Sequence, residues 1–204
     1  MGYAEDTEYA AKNLINLAMH EENDLSRLRQ ELAQEMGKYA ANRWDFETSD
    51  LNDDFTDAHV MAAFHRMAKA KIQADQIALM KSSLEASVGA RQFAVQALWG
   101  ALLQIAKQGI SIVHGGLKNA PDGRLLLGTP LKEIIWQGRN QAIHFEEGNF
   151  TNHVKNTFAS LEVSFGAEFS LSNHFGQSRS KQIALLLGWN DYQNFKNDMK
   201  SLGL

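Results

Sequence analysis

Only two prolines interrupt the chain, Pro121 and Pro130, so the first 120 residues hold no proline to break a helix interior. Across that stretch apolar residues recur at intervals of three and four. Leu14, Ala18, Leu25, Leu28, Leu32, Met36 and Tyr39 form one stripe between Tyr3 and Arg43, with a break expected near Asn23-Asp24. Val60, Phe64, Met67 and Ile72 form a second stripe over 58–81, after which Ser82, Ser83, Ser87 and Gly89 mark another expected break. A third stripe, Val88, Val95, Leu98, Leu102, Ile105, Gly109 and Ile112 with Trp99 beside it, predicts the central core helix, stopped by Gly115-Gly116. Between the first two stripes, Trp44 to Asp57 lacks periodicity and concentrates acids. It reads as a loop whose Thr56 or Asp57 caps the next helix.

Downstream the segments shorten. A turn is expected at Ala120-Pro121-Asp122-Gly123. Thr129-Pro130 then predicts a helix start, with Thr as cap, Pro at the first helical position and Glu133 in the first turn, the helix running to Gly148. A further helix is expected over about Thr151 to Val163, a linker or packed loop over Ser164 to Ser178, and two short helices separated at Gly188, the second capped by Asn190 or Asp191. The fold class expected is all-α: a helical bundle with long antiparallel helices plus a C-terminal helical hairpin. Its parts divide as 1–56 (amphipathic helix and acidic loop), 57–165 (bundle) and 166–204 (hairpin). An all-β sandwich is excluded.

The absence of cysteine removes disulfides, thiolate metal sites and a cysteine nucleophile, and is compatible with a reducing cytoplasm. The start MGYAEDTEYA lacks the basic and apolar run of a secretion signal, and no stretch reaches bilayer-spanning length, so a soluble cytoplasmic protein without membrane contact is expected. Charge is uneven: residues 1–57 hold 14 acidic and 5 basic residues, the remainder 10 and 15. The second portion is thus able to meet phosphates although the whole carries −4. Several familiar sites fail on spacing, because there is no HExxH, no Glu-x-x-His, no Gly-Lys-Ser/Thr phosphate loop, no GxSxG and no GxGxxG. His20-Glu21-Glu22 reads as a solvated face, and His59, His65, His153 and His174 as structural or exposed.

The informative segment is Gly138-Arg139-Asn140-Gln141-Ala142-Ile143-His144. On a helix at about 100° per residue, Leu131, Ile134, Ile135, Gly138, Ala142 and Phe145 share one stripe, while Trp136, Asn140, Ile143, His144 and Glu147 gather on the other side and Arg139 lies at the border. A Trp and an Ile on the outer side call for a second packing partner, either another protomer or the C-terminal appendage. The plain alternative is that Arg139 pairs with a surface carboxylate and His144 is merely exposed or hydrogen-bonded.

The run RNQAIH, in a helix of an otherwise helical chain, resembles the Arg-x4-6-His signature of the HEPN superfamily, in which a polar residue, often Asn, follows the Arg. Arg139, Asn140 and His144 match in turn, and the likeness covers residues 57–165. The resemblance implies a metal-independent endoribonuclease that uses no cofactor and cleaves RNA through 2′-hydroxyl attack to a 2′,3′-cyclic phosphate. It further implies a homodimer joined through the motif helix, and a toxin or phage-defence setting with a cognate inhibitor protein. The family also usually places a polar or acidic residue on an earlier helix, for which Asp75 and Glu85 are both candidates. Some members are non-catalytic nucleotide- or protein-binding subunits. A different class of reading takes the tail IALLLGWNDYQNF as a helix-turn-helix of a nucleic-acid-binding regulator, although its second helix offers only Lys196 and Lys200 against Asp191 and Asp198.

Overall fold

The computed structural model describes residues 2–48 and 57–204, with the side chains of 42, 45–48, 57–60, 62–64, 66, 67, 70 and 73 outside that description. The chain is all-α, as its periodicity predicts. Helices α1 (Tyr3–Thr48) and α2 (Asp57–His114) are followed by a two-residue ladder of β1 (Leu125–Leu126) and β2 (Thr129–Pro130). Then come α3 (Leu131–His144), α4 (Asn152–Phe165), α5 (Ser180–Leu186) and α6 (Tyr192–Ser201). Among the described residues no helix is long and apolar enough to cross a membrane.

Neither expected break interrupts the long helices. Asn23-Asp24 lies within α1, and Ser83, Ser87 and Gly89 lie within α2. At Ser87 the hydroxyl donates to the carbonyl of Ser83, 3.0 Å away, a local bond that lets a serine stay in the helix instead of ending it. Helix α1 also runs through Trp44 to Thr48, the first part of the expected acidic loop. The rest of that loop, the cap at Thr56 or Asp57, and the side chains of His59, Val60, Phe64 and Met67 lie outside the described residues.

Contacts divide the chain into two units that differ from the three expected parts: Met1–Glu21 with Phe93–Leu204, and Glu22–Gln92. The second unit is an antiparallel pair of helix arms. Arg91 meets Asp24 at 2.9 Å and Leu25 and Ala74 are buried. The first unit holds the main core, and the C-terminal segment 166–204 belongs to it. Tyr3 lies against Gly109 and donates its hydroxyl to the Ile105 carbonyl at 2.8 Å, locking the start of α1 onto α2. The core-facing residues of this part of α2 are Val95, Trp99, Leu102, Leu103, Ala106 and Ile110. The expected stripe is therefore rotated: Ile112 is 69% exposed and Trp99 is central. Rotation follows from neighbours on more than one side, since α2 meets both α1 and the C-terminal segment, so a single-face pattern is blurred.

The tail fixes the core from the other side. Asp191 caps α6 by accepting from the Gln193 amide at 2.8 Å, and Gly188 takes a positive φ of 73° between α5 and α6, both as the sequence implies. Asp198 is buried and holds three donors: Arg124 Nε at 2.7 Å, Arg124 Nη2 at 3.0 Å and Trp189 Nε1 at 2.8 Å. Arg124 also donates to the Leu187 carbonyl at 2.8 Å, so one side chain ties the β-ladder segment to both short helices.

Helix α3 is clamped by the segment preceding α5. Gln141, buried, accepts from the Arg179 amide and donates to the Gln177 carbonyl, both at 2.8 Å. Gly138 permits the close approach, because a methyl there would stand 3.3 Å from Ile183 Cγ1 and Cγ2. Arg179 is itself buried among neutral partners, and desolvation lowers its guanidinium from the ordinary value, opposed by the Glu168 charge.

Two substitutions test this packing. Asp198→Ala orphans the buried Trp189 N–H and breaks a pair whose Arg124 side is 43% exposed. It should cost about 2–3 kcal/mol in urea unfolding, with the ion-pair share small because of that exposure. Gln141→Ala leaves the Arg179 amide and the Gln177 carbonyl without that partner. It should cost about 2 kcal/mol and speed hydrogen exchange at the Arg179 amide, with no comparable change at Leu102.

Candidate functional site

The site is built around α3, and the elements before and after that helix determine where its side chains point. Thr129 and Pro130 pair with Leu126 and Leu125 across a turn in which Leu127 and Gly128 both have positive φ, 44° and 91°. That is the backbone pattern of a tight two-residue hairpin. Thr129 is therefore committed to the ladder and does not cap the helix. Pro130 stands at the position before the first helical residue, Leu131, one place earlier than expected, with no side-chain cap. Lys132 anchors this start by donating to the Ala120 carbonyl at 2.8 Å and pairing with Asp122 at 2.8 Å.

Along α3 the buried residues are Leu131, Ile134, Ile135, Gln137, Gly138 and Gln141. Four of the six predicted core positions are thus fully buried, while Ala142 and Phe145 are half-buried beside a separate apolar recess. Trp136, expected to pack on another protomer or on the C-terminal segment, lies instead against Lys107 of α2, whose ammonium stands 4.4 Å from the ring centroid. Ile143 has no such cover and is 51% exposed.

The helix ends at His144, four residues before the expected stop at Gly148. A turn follows, closed by the Glu147 amide donating to the His144 carbonyl at 3.2 Å. Gly148 then reverses the chain with φ 65°, a backbone conformation that side-chain-bearing residues rarely adopt, and the Phe175 ring lies against it. This turn carries the Glu147 carboxylate to 2.8 Å from His144 Nδ1. A carboxylate accepts only, so Nδ1 bears the proton of the shared bond and Nε2 becomes the imidazole's open position. The chain then passes Asn149 and Phe150 to Thr151, whose side chain caps α4 by accepting from the Val154 amide.

These segments leave a groove of about 180 Å³ lined by Asn140, His144, Asn149, Phe150, Thr151 and Val154. Asn140 and His144 stand one helical turn apart and share it. His144 is 49% exposed, which leaves the imidazole accessible. Arg139 is not among the lining residues. Its Nε donates to Gln104 Oε1 on α2, and its Nη1 reaches Asn140 Oδ1 only at 3.4 Å. Asn140 in turn donates to Gln137 Oε1 at 3.3 Å, and Gln137 to Glu133 Oε2 at 3.3 Å, giving a row of linked polar side chains along α3.

Of the three motif residues, the fold therefore brings Asn140 and His144 together and turns Arg139 toward α2. The partner of Arg139 is an amide and not a surface carboxylate. Asp75 and Glu85 belong to the other unit, where each pairs with a lysine on its own helix, Lys71 at 3.5 Å and Lys81 at 3.6 Å. His153 is exposed and lines a neighbouring cavity. In the tail, Lys196 is 3.9 Å from Glu8 and the Tyr192 ring lies beneath Lys12, so one of its two cations is already engaged. Among the described residues no group of three or more His, Asp or Glu side chains is arranged to hold a metal ion.

Two residues that matter to this geometry carry no motif. Glu147 is three positions from His144, a spacing readable from sequence once the helix end is known. Gln104 lies on a different helix, and nothing in the local pattern connects it to Arg139. Comparison of the chain with family models, with curated proteins and with solved structures finds no match.

Proposed function

We propose that the chain is a metal-independent endoribonuclease of HEPN type, acting as a homodimer in which His144 and Asn140 of one copy work with Arg139 of the other. One observation carries the reading: an accessible imidazole, oriented through Nδ1 by a carboxylate and free at Nε2, stands in a groove beside an amide at the motif spacing. RNA supplies its own nucleophile, so the protein needs a proton acceptor and a fixed positive charge. His144 Nε2 takes the proton of the 2′-hydroxyl as that oxygen attacks phosphorus. The bond from phosphorus to the 5′-oxygen breaks, and the 5′-oxygen leaves with a proton from water. The products are a 2′,3′-cyclic phosphate and a 5′-hydroxyl. Asn140 donates to a phosphate oxygen, and Arg139 stabilises the charge developing on the phosphorane.

A second copy is part of this reading because Arg139 and His144 lie about 140° apart around a regular helix. Within one chain the guanidinium is drawn toward Gln104 while the imidazole faces the start of α4. The exposed Ile143, between them on the outer side, provides apolar surface for the seam. That divergence also favours a second reading, a non-catalytic HEPN-like subunit that binds a nucleotide or another protein through the same groove. A toxin or antiviral setting with an inhibitor protein belongs to the family resemblance and adds no residue to the site.

Cleavage of single-stranded RNA in EDTA separates the readings. Wild type should yield cyclic-phosphate ends, His144→Ala and Arg139→Ala should each lose 100-fold or more in rate, on the order expected for a proton-transfer or charge-stabilising group, and Asn140→Ala about 10-fold. Equal cleavage by all four proteins would overturn the assignment. Tight binding without cleavage by wild type would favour the non-catalytic subunit.

A further inference from the structure

A second cavity adjoins the His144 groove. It has a volume of about 760 Å³, within the range of roughly 300–1,000 Å³ that holds small molecules, and shares Asn140 and Thr151 with the groove. Its walls combine three chemistries. Trp136 supplies an aromatic ring, held in place by Lys107. Glu133 supplies a carboxylate whose Oε2 is bonded to Gln137 while Oε1 has no hydrogen-bond partner among the described residues. Lys118 and His153 supply nitrogen groups that likewise make no hydrogen bond or ion pair there.

An aromatic face accepts any nucleobase by stacking, and cationic side chains attract phosphate. The carboxylate discriminates, because it only accepts. A base offering two adjacent N–H donors satisfies both its oxygens, and guanine, with N1–H beside its 2-amino group, is the base that does so. Uracil offers one donor between two acceptors, and the amino groups of adenine and cytosine stand beside acceptor nitrogens.

We propose that this cavity binds a guanine nucleotide of the RNA strand, with the base on Trp136, its N1–H and amino group on Glu133, and a flanking phosphate near Lys118 and His153. The inference rests on the ribonuclease reading and deepens it, since a guanosine seated there lies next to His144 by way of Asn140. It makes cleavage selective for phosphodiesters beside guanosine.

The test starts from binding and so does not depend on turnover. In a Trp44→Phe, His144→Ala background the indole of Trp136 reports on the cavity, because Trp99 and Trp189 are fully buried. The probes are the four nucleoside 3′-monophosphates and a tetranucleotide containing one 2′-deoxyguanosine. The guanine nucleotide should bind about tenfold more tightly than the others, and the oligonucleotide more tightly still. Glu133→Gln should reduce the guanine preference about tenfold. Trp136→Ala should weaken binding of all four mononucleotides about tenfold, read by calorimetry, with Trp136→Phe restoring most of it. Equal binding of the four nucleotides, a preference unchanged by Glu133→Gln, or free nucleotide outcompeting the oligonucleotide would each overturn the inference. A guanine preference in a protein whose wild type cleaves no RNA would retain the nucleotide pocket while removing the nuclease.

Discussion

The close approach of α3 and α5 at Gly138 is the constraint on which the site depends. With no side chain at that position, Ile183 reaches the backbone of α3, and the same helix face carries Gln141 into two hydrogen bonds with the segment before α5. A helix of only 14 residues is marginal in isolation. Packed on this side and anchored at its start by Lys132, it holds a fixed rotation. That rotation decides which motif residues face the groove and which face α2.

Orientation of the motif then becomes a matter of helix geometry. Residues four apart lie on one side, so Asn140 and His144 share a groove; residues five apart diverge, so Arg139 does not join them. Gln104 and Glu147 reinforce the divergence by engaging the guanidinium and the imidazole from opposite directions. The arrangement is economical if two copies each supply what the other lacks. A closed two-fold assembly would repeat that exchange at both ends of its seam.

Much of the architecture is legible in the sequence because helical periodicity is long and uninterrupted by proline. The stop at Gly115-Gly116, the cap at Asp191 and the reversal at Gly188 can be read locally, since each depends on one side chain or one backbone preference. What escapes a local reading is whatever depends on a distant partner. Serines that look like a break at 82–87 remain helical, because a hydroxyl bonded to the preceding turn does not end a helix. Thr129 looks like a cap and is instead used by a two-residue ladder. That 166–204 packs into one unit with α3 rests on Gln141 and Asp198, and neither polar residue signals burial by its type. The motif residues are readable by spacing, yet Gln104 is not.

The central claim is that imidazole and guanidinium act across two copies. Mixing Arg139→Ala with His144→Ala protein, after unfolding and refolding them together, tests it most directly. Mixed dimers then carry one intact composite site each. The account predicts that RNA cleavage returns to about a quarter of the wild-type rate, as random pairing of equal amounts with one working site in every mixed pair requires. No recovery above the separate inactive variants, in a sample shown to contain mixed dimers, would contradict it.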